Sequence, residues 1–342
     1  MRPLAGRSYR RISVYSMPSE NKKSCCMPTN TAPAPCCGGG SKSVEKPRSK
    51  RASNYGDKSG MALIDSGPFL MGTDSEEGWD ADGEKPIREV ELGSYWISKC
   101  CVTNREFAEF VDDTGFVTEA ERFGWTYVFR ILVPKSVLKR LKPQNVQGLE
   151  WWYGIEGAYW KKPEGSGSNI KKQMEYPAIH ISWNDAVAYC EWKGHRLPTE
   201  AEWEKAARGG LEQNLYAWGD ELMPEGKHRC NIWQGQFPVT NTAEDGHIGP
   251  APAKSFRANG FGMYNVAGNV WEWCQDWYST EQSESRDGLD PQGPEGGDRK
   301  VMKGGSYLCH NSYCNRYRVA ARTSNTPDTS TGNMGFRTAM DV

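Results

Sequence analysis

Glycine and proline recur so often along this chain that long regular elements have little room to form. The sequence contains 37 Gly and 20 Pro among its 342 residues, and both residue types interrupt helices and strands. Hydrophobic residues account for 37% of the chain, yet they include 14 Trp and 15 Tyr, and each aromatic side chain buries a large area. The composition therefore predicts an irregular, loop-rich α+β domain with few regular elements and an aromatic core.

Three helices are predicted from the signals at their ends. Each begins at a Ser or Thr with an acidic residue in the first turn and ends at a glycine. These signals are Thr103, Glu106 and Gly115 for the first helix, Ser182, Asp185 and Gly194 for the second, and Thr199, Glu202 and Gly209 for the third. On the third helix the cap accounts for Glu202, and we expect Glu200 and Glu204 to face solvent.

Two strand-like runs precede the first helix. One extends from Ala62 to Met71 with a break at a Ser-Gly-Pro turn, and the other extends from Arg88 to Ile97. Between them, residues 80–84 (D-A-D-G-E) resemble the start of a calcium loop but lack its distal glutamate. We interpret residues 80–84 as an acidic turn.

Charge and hydropathy argue against two broad classes of protein. The formal net charge is −1, so no overall field favours nucleic acid. No run of about 18 apolar residues is present to span a membrane, and the N-terminus lacks the apolar core of a secretory signal. The eleven cysteines, an odd number, favour a reducing compartment. The sequence thus predicts a cytoplasmic protein that binds neither nucleic acid nor membrane.

Residues 1–57 are rich in Ser, Pro, Gly and Lys, which predicts a disordered N-terminal tail ahead of a folded domain at 58–342. The tail carries two adjacent cysteine pairs, Cys25-Cys26 and Cys36-Cys37. These pairs fit a soft-metal tail that carries copper. An unstructured tail with incidental cysteines is the simpler interpretation.

A third cysteine pair lies in residues 303–318, K-G-G-S-Y-L-C-H-N-S-Y-C-N-R-Y-R. The spacing of Cys309 and Cys314 matches neither zinc knuckles nor C-x-x-C redox pairs. Two soft thiolates suit Cu(I), a reversible disulfide or a thiol nucleophile, whereas two buried structural cysteines are the simplest alternative. Three cations that favour thiolate over thiol follow: Arg316, Arg318 and Arg322.

The letters around these cysteines resemble the formylglycine-generating enzymes, the sulfatase-modifying oxidases. The most specific part is the S-x-x-C-x4-C core of Ser306, Cys309 and Cys314, followed by N-T-P-D and G-N-M-G-F-R. The resemblance covers roughly residues 60–341. Its earlier stretches are V-T-N-R-E-F-A-E-F-V (102–111), R-L-P-T-E-A-E-W-E-K-A-A-R-G-G (196–210), N-I-W-Q-G-Q-F-P-V-T-N-T-A-E-D-G (231–246) and G-N-V-W-E-W (268–273). The resemblance implies a single domain with the C-type-lectin-like fold of that family.

The resemblance implies a copper-dependent oxidase that uses O2 to convert the cysteine of a C-x-P-x-R motif in sulfatases to Cα-formylglycine. Cys309 and Cys314 would bind Cu(I), with the substrate thiolate as a third ligand. Ser306 would orient substrate or oxygen by hydrogen bonding.

Four further residues are substrate-binding candidates on the same resemblance. Trp271 would form an apolar wall of the groove, while Arg322 and Asn333 would bond the peptide backbone. His310 is open to two interpretations, as a base beside the substrate or as a structural hydrogen-bonding residue.

Two oxygen-rich loops, which by themselves resemble turns, match structural calcium sites in the family. Calcium prefers a mixture of carboxylate, amide and carbonyl oxygens. The first implied site contains Asn231 and Asp245 with the carbonyls of Ile232 and His247. The second contains Asn265 and Glu272 with the carbonyls of Gly268 and Val270.

The implied partners are an unfolded sulfatase polypeptide, O2 and a thiol reductant, and we expect a monomer. Residues 26–30 (C-M-P-T-N) imitate C-x-P-x-R without its arginine, so a third hypothesis for the tail is that it occupies its own groove. Two alternatives to the oxidase stay open. One is a non-catalytic peptide- or ligand-binding module on the same fold, and the other is a metal-free thiol–disulfide enzyme that uses Cys309 and Cys314.

Overall fold

The computed structural model describes residues 27–29, 51–141, 145–281 and 288–342, and the tail cysteines Cys25, Cys26, Cys36 and Cys37 lie outside these ranges. The described residues form five α-helices: α1 (Asn104–Thr114), α2 (Glu119–Phe123), α3 (Lys135–Leu141), α4 (Trp183–Lys193) and α5 (Glu200–Arg208). Their strands are β1 (Met61–Ile64), β2 (Gly67–Met71), β3 (Arg88–Leu92), β4 (Tyr95–Ser98), β5 (Trp125–Phe129), β6 (Asn145–Val146), β7 (Leu149–Glu156), β8 (Gly235–Gln236), β9 (Thr240–Asn241), β10 (Trp271–Trp277), β11 (Gly288–Leu289), β12 (Lys300–Lys303), β13 (Arg322–Asn325), β14 (Met334–Gly335) and β15 (Ala339–Asp341).

The strands are distributed over several small sheets, and the predicted irregular α+β fold is confirmed. A four-stranded sheet has the order β13-β12-β10-β14, and three-stranded sheets have the orders β1-β4-β15, β11-β3-β2 and β5-β7-β6. In the four-stranded sheet β10 pairs antiparallel with β12 and parallel with β14. This sheet positions the cysteine loop, because β12 leads directly into it.

One strand prediction is wrong in detail. The run from Arg88 to Ile97 is two strands, because β3 pairs with β2 whereas β4 pairs with β1 in a different sheet. The chain breaks at Gly93, whose N–H donates a hydrogen bond to Asp290 Oδ1 (2.7 Å). The run from Ala62 to Met71 is confirmed as two strands, but the break lies at Asp65 and Ser66, because Gly67 and Pro68 already belong to β2.

The three predicted helix caps are confirmed. At the start of α1, the Thr103 side chain accepts a hydrogen bond from the Glu106 N–H, and the Glu106 carboxylate accepts one from the Thr103 N–H (2.7 Å). The same reciprocal capping box begins α4 and α5. Left-handed glycines end all three helices. A fourth box, Thr118 with Glu121, begins α2, which the sequence analysis did not predict.

The solvent-facing positions expected for Glu200 and Glu204 are wrong. Glu200 and Glu204 are only 4% and 1% exposed, because α5 contacts β10 and β12 as well as β2 and β3. Glu204 forms ion pairs with Lys303 (2.9 Å) and Arg208 (2.7 Å). Both carboxylates therefore belong to the interior of the domain.

The core is aromatic, as predicted, and it includes the cysteine pair. One buried cluster contains Trp152, Trp233 and Trp271 together with Cys309 and Cys314. Edge-to-face ring contacts, such as that between Phe129 and Trp233 (5.6 Å between centroids), contribute to this packing. Among the described residues, no helix has both the length and the apolar character needed to cross a bilayer.

Residues 51–57, which the sequence analysis assigns to the tail, lie against the end of α4. The Ala52 N–H donates to the Trp192 carbonyl (2.9 Å), and the Gly56 N–H donates to the Lys193 carbonyl (2.8 Å). The Ala52 residue is 5% exposed. This stretch therefore packs onto the domain.

Candidate active site

The cysteine loop leaves β12 through two consecutive glycines. Gly304 and Gly305 have φ angles of 91° and 75°, which side chains rarely tolerate. A Cβ atom on Gly305 would lie 2.7 Å from the carbonyl oxygen of Arg316. The two glycines are therefore required for the loop to fold back against its own far end.

Ser306 and Cys309 are held together by two hydrogen bonds. The Cys309 N–H donates to the Ser306 carbonyl (2.9 Å), and the Ser306 N–H approaches the Cys309 sulfur (3.4 Å). The Cys314 N–H donates to the His310 carbonyl (3.0 Å). Both cysteines are thiols in this structure and are 0% exposed. The S-x-x-C-x4-C core of the sequence is thus one buried unit.

Asn333, the residue before β14, joins this unit. Its Nδ2 donates to Ser306 Oγ (2.9 Å), and its Oδ1 accepts from Thr331 Oγ1 (2.5 Å). The Leu308 N–H also donates to Ser306 Oγ (3.3 Å). Because a hydroxyl has two acceptor lone pairs and one donor, the Ser306 hydroxyl keeps its proton for a further partner.

Trp271 supports Asn333 through the backbone. Its N–H donates to the Asn333 carbonyl (2.8 Å), and its side chain is fully buried in the core cluster. The structure therefore brings Ser306, Cys309, Asn333 and Trp271 together. Whether Trp271 also forms a groove wall stays a prediction.

Arg322 has a different environment from the one expected for a peptide-binding residue. Its guanidinium forms two hydrogen bonds to the Glu200 carboxylate (2.6 and 2.8 Å). It also donates to the carbonyls of Asp82 (3.1 Å) and Ser279 (2.7 Å). The residue is 2% exposed. In this structure the guanidinium therefore ties elements of the domain together.

His310 lies at the partly exposed side of the loop. Its Nδ1 is 2.7 Å from Ser312 Oγ. Burial lowers the pKa of His310, while the neighbouring Cys314 opposes that effect. A cavity of about 150 Å³ opens beside it, lined among others by His310, Asn311, Trp233 and Tyr317. The geometry is compatible with either interpretation of His310.

Two acidic residues that the sequence analysis did not select hold the far end of the loop. The Asp82 carboxylate bonds Arg316 Nε (2.5 Å), and the Glu84 carboxylate forms two hydrogen bonds with Arg318, one of them 2.9 Å long. All four side chains are buried. Burial raises the pKa of Asp82, while Arg316 opposes the rise.

Within the predicted acidic turn, Asp82 and Glu84 thus form a buried anchor for the loop, whereas the Asp80 side chain is exposed. Because carboxylates neutralise Arg316, Arg318 and Arg322, these cations stabilise thiolates less than the sequence suggested. The signal in the sequence was the acidic run 80–84, but its partners lie 234 positions away.

Buried amide oxygens without partners lie in the two candidate calcium loops. Among the described residues, the Oδ1 atoms of Asn231 and Asn265 are buried and accept no hydrogen bond. The loops are adjacent, because Asn231 and Gly268 form a parallel β-bridge. An orphaned buried acceptor costs free energy, and a hard cation would satisfy it. Both asparagines fit calcium ligation.

The carboxylates of these loops already have partners. Asp245 Oδ2 accepts from the Ile232 N–H (3.1 Å) and from Gln234 Nε2 (2.9 Å), and Oδ1 accepts from the His247 N–H (2.9 Å). The Gln234 side-chain amide also bonds the Ile232 carbonyl. Calcium could bind the Asp245 carboxylate and the Ile232 carbonyl only by replacing these hydrogen bonds.

Glu272 fits calcium less well than the asparagines. It accepts two hydrogen bonds from Arg337 (2.5 and 2.7 Å), one from Trp203 Nε1 (2.6 Å) and one from Cys101 Sγ (3.0 Å). These four bonds match the four lone-pair sites of a carboxylate. The calcium role of Glu272, like those of Gly268 and Val270, stays a prediction.

Comparison with known proteins places this chain in a family. Residues 46–342 match the model of the sulfatase-modifying factor enzyme 1-like domain. A formylglycine-generating enzyme of Thermomonospora curvata is 55% identical over 82% of this chain and 93% of its own length. A formylglycine-generating enzyme of Streptomyces coelicolor is 52% identical over 91% of this chain and 96% of its own length.

A solved structure supports the fold. PvdO from Pseudomonas aeruginosa superposes with a TM-score of 0.59 at 22% identity, covering 82% of this chain and 94% of that chain. At this identity the likeness concerns the fold alone. From the family match and the two relatives, the chain belongs to the family of the sulfatase-modifying factor enzyme 1-like domain.

Proposed function

We propose that this protein is a formylglycine-generating oxidoreductase, which converts a cysteine of a sulfatase polypeptide to Cα-formylglycine. Relatives that carry this name share about half of their residues with the chain over most of its length. The observation that carries the proposal is the buried unit of Ser306, Cys309, Cys314 and Asn333, because it holds one buried thiol next to the residue of an oriented hydroxyl and a second buried thiol in the same loop.

The donor set of this unit fits Cu(I). Soft thiolate ligands select Cu(I) over hard cations, and Cys309 and Cys314 are buried in one apolar cluster. When bound, copper would supply the redox chemistry with O2 that removal of hydrogen from a cysteine side chain requires. In the overall change O2 takes two electrons from the substrate Cβ and two from a thiol reductant, which becomes a disulfide; the thiol-bearing carbon becomes an aldehyde, the sulfur leaves as sulfide and the second oxygen atom becomes water.

The residues of the chain have separable roles around the substrate. Ser306 Oγ accepts from Asn333 and Leu308, so its proton is available to donate to a substrate or oxygen atom. Trp271 fixes Asn333 through the backbone. The apolar cluster around the cysteines excludes water and strengthens these polar contacts.

The substrate proposed is an unfolded sulfatase segment with a C-x-P-x-R motif, with O2 and a thiol reductant as co-substrates. We further propose a cytoplasmic monomer. The odd number of cysteines in a chain of 342 residues supports a reducing compartment.

Structural calcium is proposed at the paired loops that contain Asn231 and Asn265. Their unpartnered amide oxygens support this proposal. Asp245, Glu272 and the carbonyls of Ile232, His247, Gly268 and Val270 complete the implied ligand sets. Calcium would stabilise the loops rather than take part in the reaction.

The test is aldehyde formation on a synthetic peptide with a C-x-P-x-R motif. Copper-loaded protein, reductant and air should yield an aldehyde that a hydroxylamine probe captures for mass spectrometry. A peptide- or ligand-binding module would bind the peptide without any change in its mass. A thiol–disulfide enzyme would turn over dithiols without O2, so an anaerobic assay separates it from the oxidase.

A further inference from the structure

A short piece of the N-terminal tail is docked on the domain. Met27 is 2% exposed and belongs to the same buried cluster as Cys309 and Cys314. Asn325 Nδ2 donates a hydrogen bond to the Pro28 carbonyl (2.9 Å), and the Tyr127 hydroxyl donates one to the Thr29 carbonyl (3.1 Å). These contacts lie 98 or more positions apart in sequence, so the tail binds a surface that the folded domain presents.

The docking residues connect to the cysteine loop. Tyr127 forms a parallel bridge with Thr331, and Thr331 Oγ1 donates to Asn333 Oδ1 (2.5 Å). Asn333 in turn donates to Ser306 Oγ (2.9 Å), and the Ser306 N–H approaches the Cys309 sulfur (3.4 Å). A continuous series of contacts therefore leads from the Thr29 carbonyl to the Cys309 sulfur.

The chemistry of the contacts selects a peptide with proline at the buried position. Asn325 and Tyr127 bond main-chain carbonyls, which every peptide offers, whereas the burial of Met27 favours an apolar residue before the proline. Pro28 is buried, and a proline brings no backbone N–H that would need a partner there. The site is thus suited to a segment of the form x-Pro-x.

We infer that the surface formed by Asn325, Tyr127 and the apolar side chains around Met27 is the substrate groove, and that residues 27–29 occupy it as a resident competitor. The inference rests on the proposed function, because residues 26–30 (C-M-P-T-N) share the Cys and Pro spacing of C-x-P-x-R. The described residues 27–29 correspond to x-P-x of that motif. Asn30 replaces the arginine, so the tail lacks one recognition element of a substrate.

An attached segment competes by mass action. A tethered ligand has an effective concentration of about 1 mM, and a short segment that binds with a dissociation constant of about 0.1 mM would then occupy most of the grooves. The apparent affinity for substrate should fall by about tenfold, while turnover of bound substrate stays unchanged.

The experiment measures binding separately from chemistry. The probe is a fluorescein-labelled peptide with Ser in place of the substrate cysteine (S-x-P-x-R), and its dissociation constant is measured by anisotropy on metal-free, full-length protein. The double variant Met27→Asp, Pro28→Asp should bind the probe about tenfold more tightly than the parent protein. The matched control Pro33→Asp, Pro35→Asp, in the same tail, should equal the parent.

A second variant identifies the groove itself. In the background of Met27→Asp and Pro28→Asp, Tyr127→Phe removes the hydroxyl that bonds the Thr29 carbonyl and should weaken probe binding by about fivefold. Equal probe affinity in the parent and the double tail variant would overturn the inference, as would unchanged affinity after Tyr127→Phe. Thermal unfolding of each variant checks that the fold is intact.

Failure of the chemistry leaves a different signature. If the tail variant and Tyr127→Phe change probe affinity as expected but no peptide is converted, the assignment of the groove is supported and the proposed reaction is refuted. If the parent and the tail variants convert the cysteine peptide with the same KM, the proposed reaction is supported and competition by the tail is refuted.

Discussion

Asn333 Nδ2 lies 2.9 Å from Ser306 Oγ, and this hydrogen bond connects the residue before β14 to the cysteine loop. Ser306 is three residues before Cys309 in sequence and bonds it twice through the backbone. The position of the Ser306 hydroxyl therefore depends on Asn333, while its own loop fixes the distance to the thiol. This relationship makes Ser306 a candidate catalytic residue and Asn333 a positioning residue.

Substitution of the pair should show that both act through one hydroxyl. Ser306→Ala removes the donor and should lower kcat by about 100-fold, whereas Asn333→Ala leaves the hydroxyl misoriented and should lower kcat by about tenfold. The double variant should be no worse than Ser306→Ala alone, because Asn333 has then nothing to orient. Single-turnover kinetics on a cysteine peptide measure this coupling. Additive losses in the double variant would refute it, and Ser255→Ala is the control.

The ion pair between Glu84 and Arg318, which anchors the far end of the cysteine loop, should stabilise the fold. Glu84→Ala leaves Arg318 buried without its carboxylate and should reduce the free energy of unfolding by about 3–5 kcal/mol. Glu76→Ala, a few residues earlier on an exposed position, should change it by less than about 0.5 kcal/mol. Urea unfolding monitored by tryptophan fluorescence compares the two variants. Equal losses would show that the Glu84–Arg318 pair is not the anchor.

Glu204 should make the fold sensitive to acid. Burial alone would raise its pKa, but Lys303 and Arg208 outweigh that effect and lower the pKa to about 2, from an ordinary value of 4.5. Because the folded-state pKa is the lower one, the stabilisation is complete above about pH 4.5 and is lost as pH falls toward 2. The contribution of the ionised Glu204 carboxylate to the free energy of unfolding is on the order of 3 kcal/mol.

The difference in unfolding free energy between the parent and Glu204→Gln, measured from pH 6 to pH 2.5, isolates this contribution. The difference should be largest above pH 4.5 and should shrink steadily below it. Glu225→Gln, at an exposed surface pair with Lys227, should differ little from the parent at any pH. A Glu204→Gln difference that is constant over the whole range would contradict the assignment.

Calcium should raise the melting temperature through the unpartnered amide oxygens. Added calcium, compared with a chelator, should increase Tm in the parent protein, since a ligand bound only by the folded state stabilises it. Asn231→Ala removes one orphaned oxygen and should abolish most of the increment. Asn259→Ala is the control, because both the oxygen and the nitrogen of the Asn259 side-chain amide have protein partners. This variant should therefore lower Tm by the same amount with and without calcium. No increment in the parent would exclude calcium from these loops.

Local sequence signals predicted the helix ends well. Thr103, Ser182 and Thr199 cap their helices as expected because a capping box is complete within four residues. The glycines before the cysteine loop were equally informative, since Gly305 tolerates no Cβ at its position.

Long-range pairing was not predictable from local pattern. Residues 80–84 have the composition of an exposed turn, and only the folded chain brings Asp82 and Glu84 to Arg316 and Arg318. Glu204 was misjudged for the same reason, because its partner Lys303 is 99 positions away. Asn325 and Tyr127 were also missed, although Asn325 begins the N-T-P-D stretch that marks the family resemblance.

Cys309 and Cys314 are the residues proposed to be essential for cysteine oxidation, and a comparison of four proteins tests that role. Aldehyde formation on a C-x-P-x-R peptide is measured by mass spectrometry for the parent, Cys309→Ser, Cys314→Ser and Cys190→Ser, each with copper, reductant and air. Cys190 is a buried thiol of α4 whose pKa is raised by burial, so its variant is the control. We expect product with the parent and Cys190→Ser and none with the other two variants. Undiminished product from Cys309→Ser or Cys314→Ser would contradict the account.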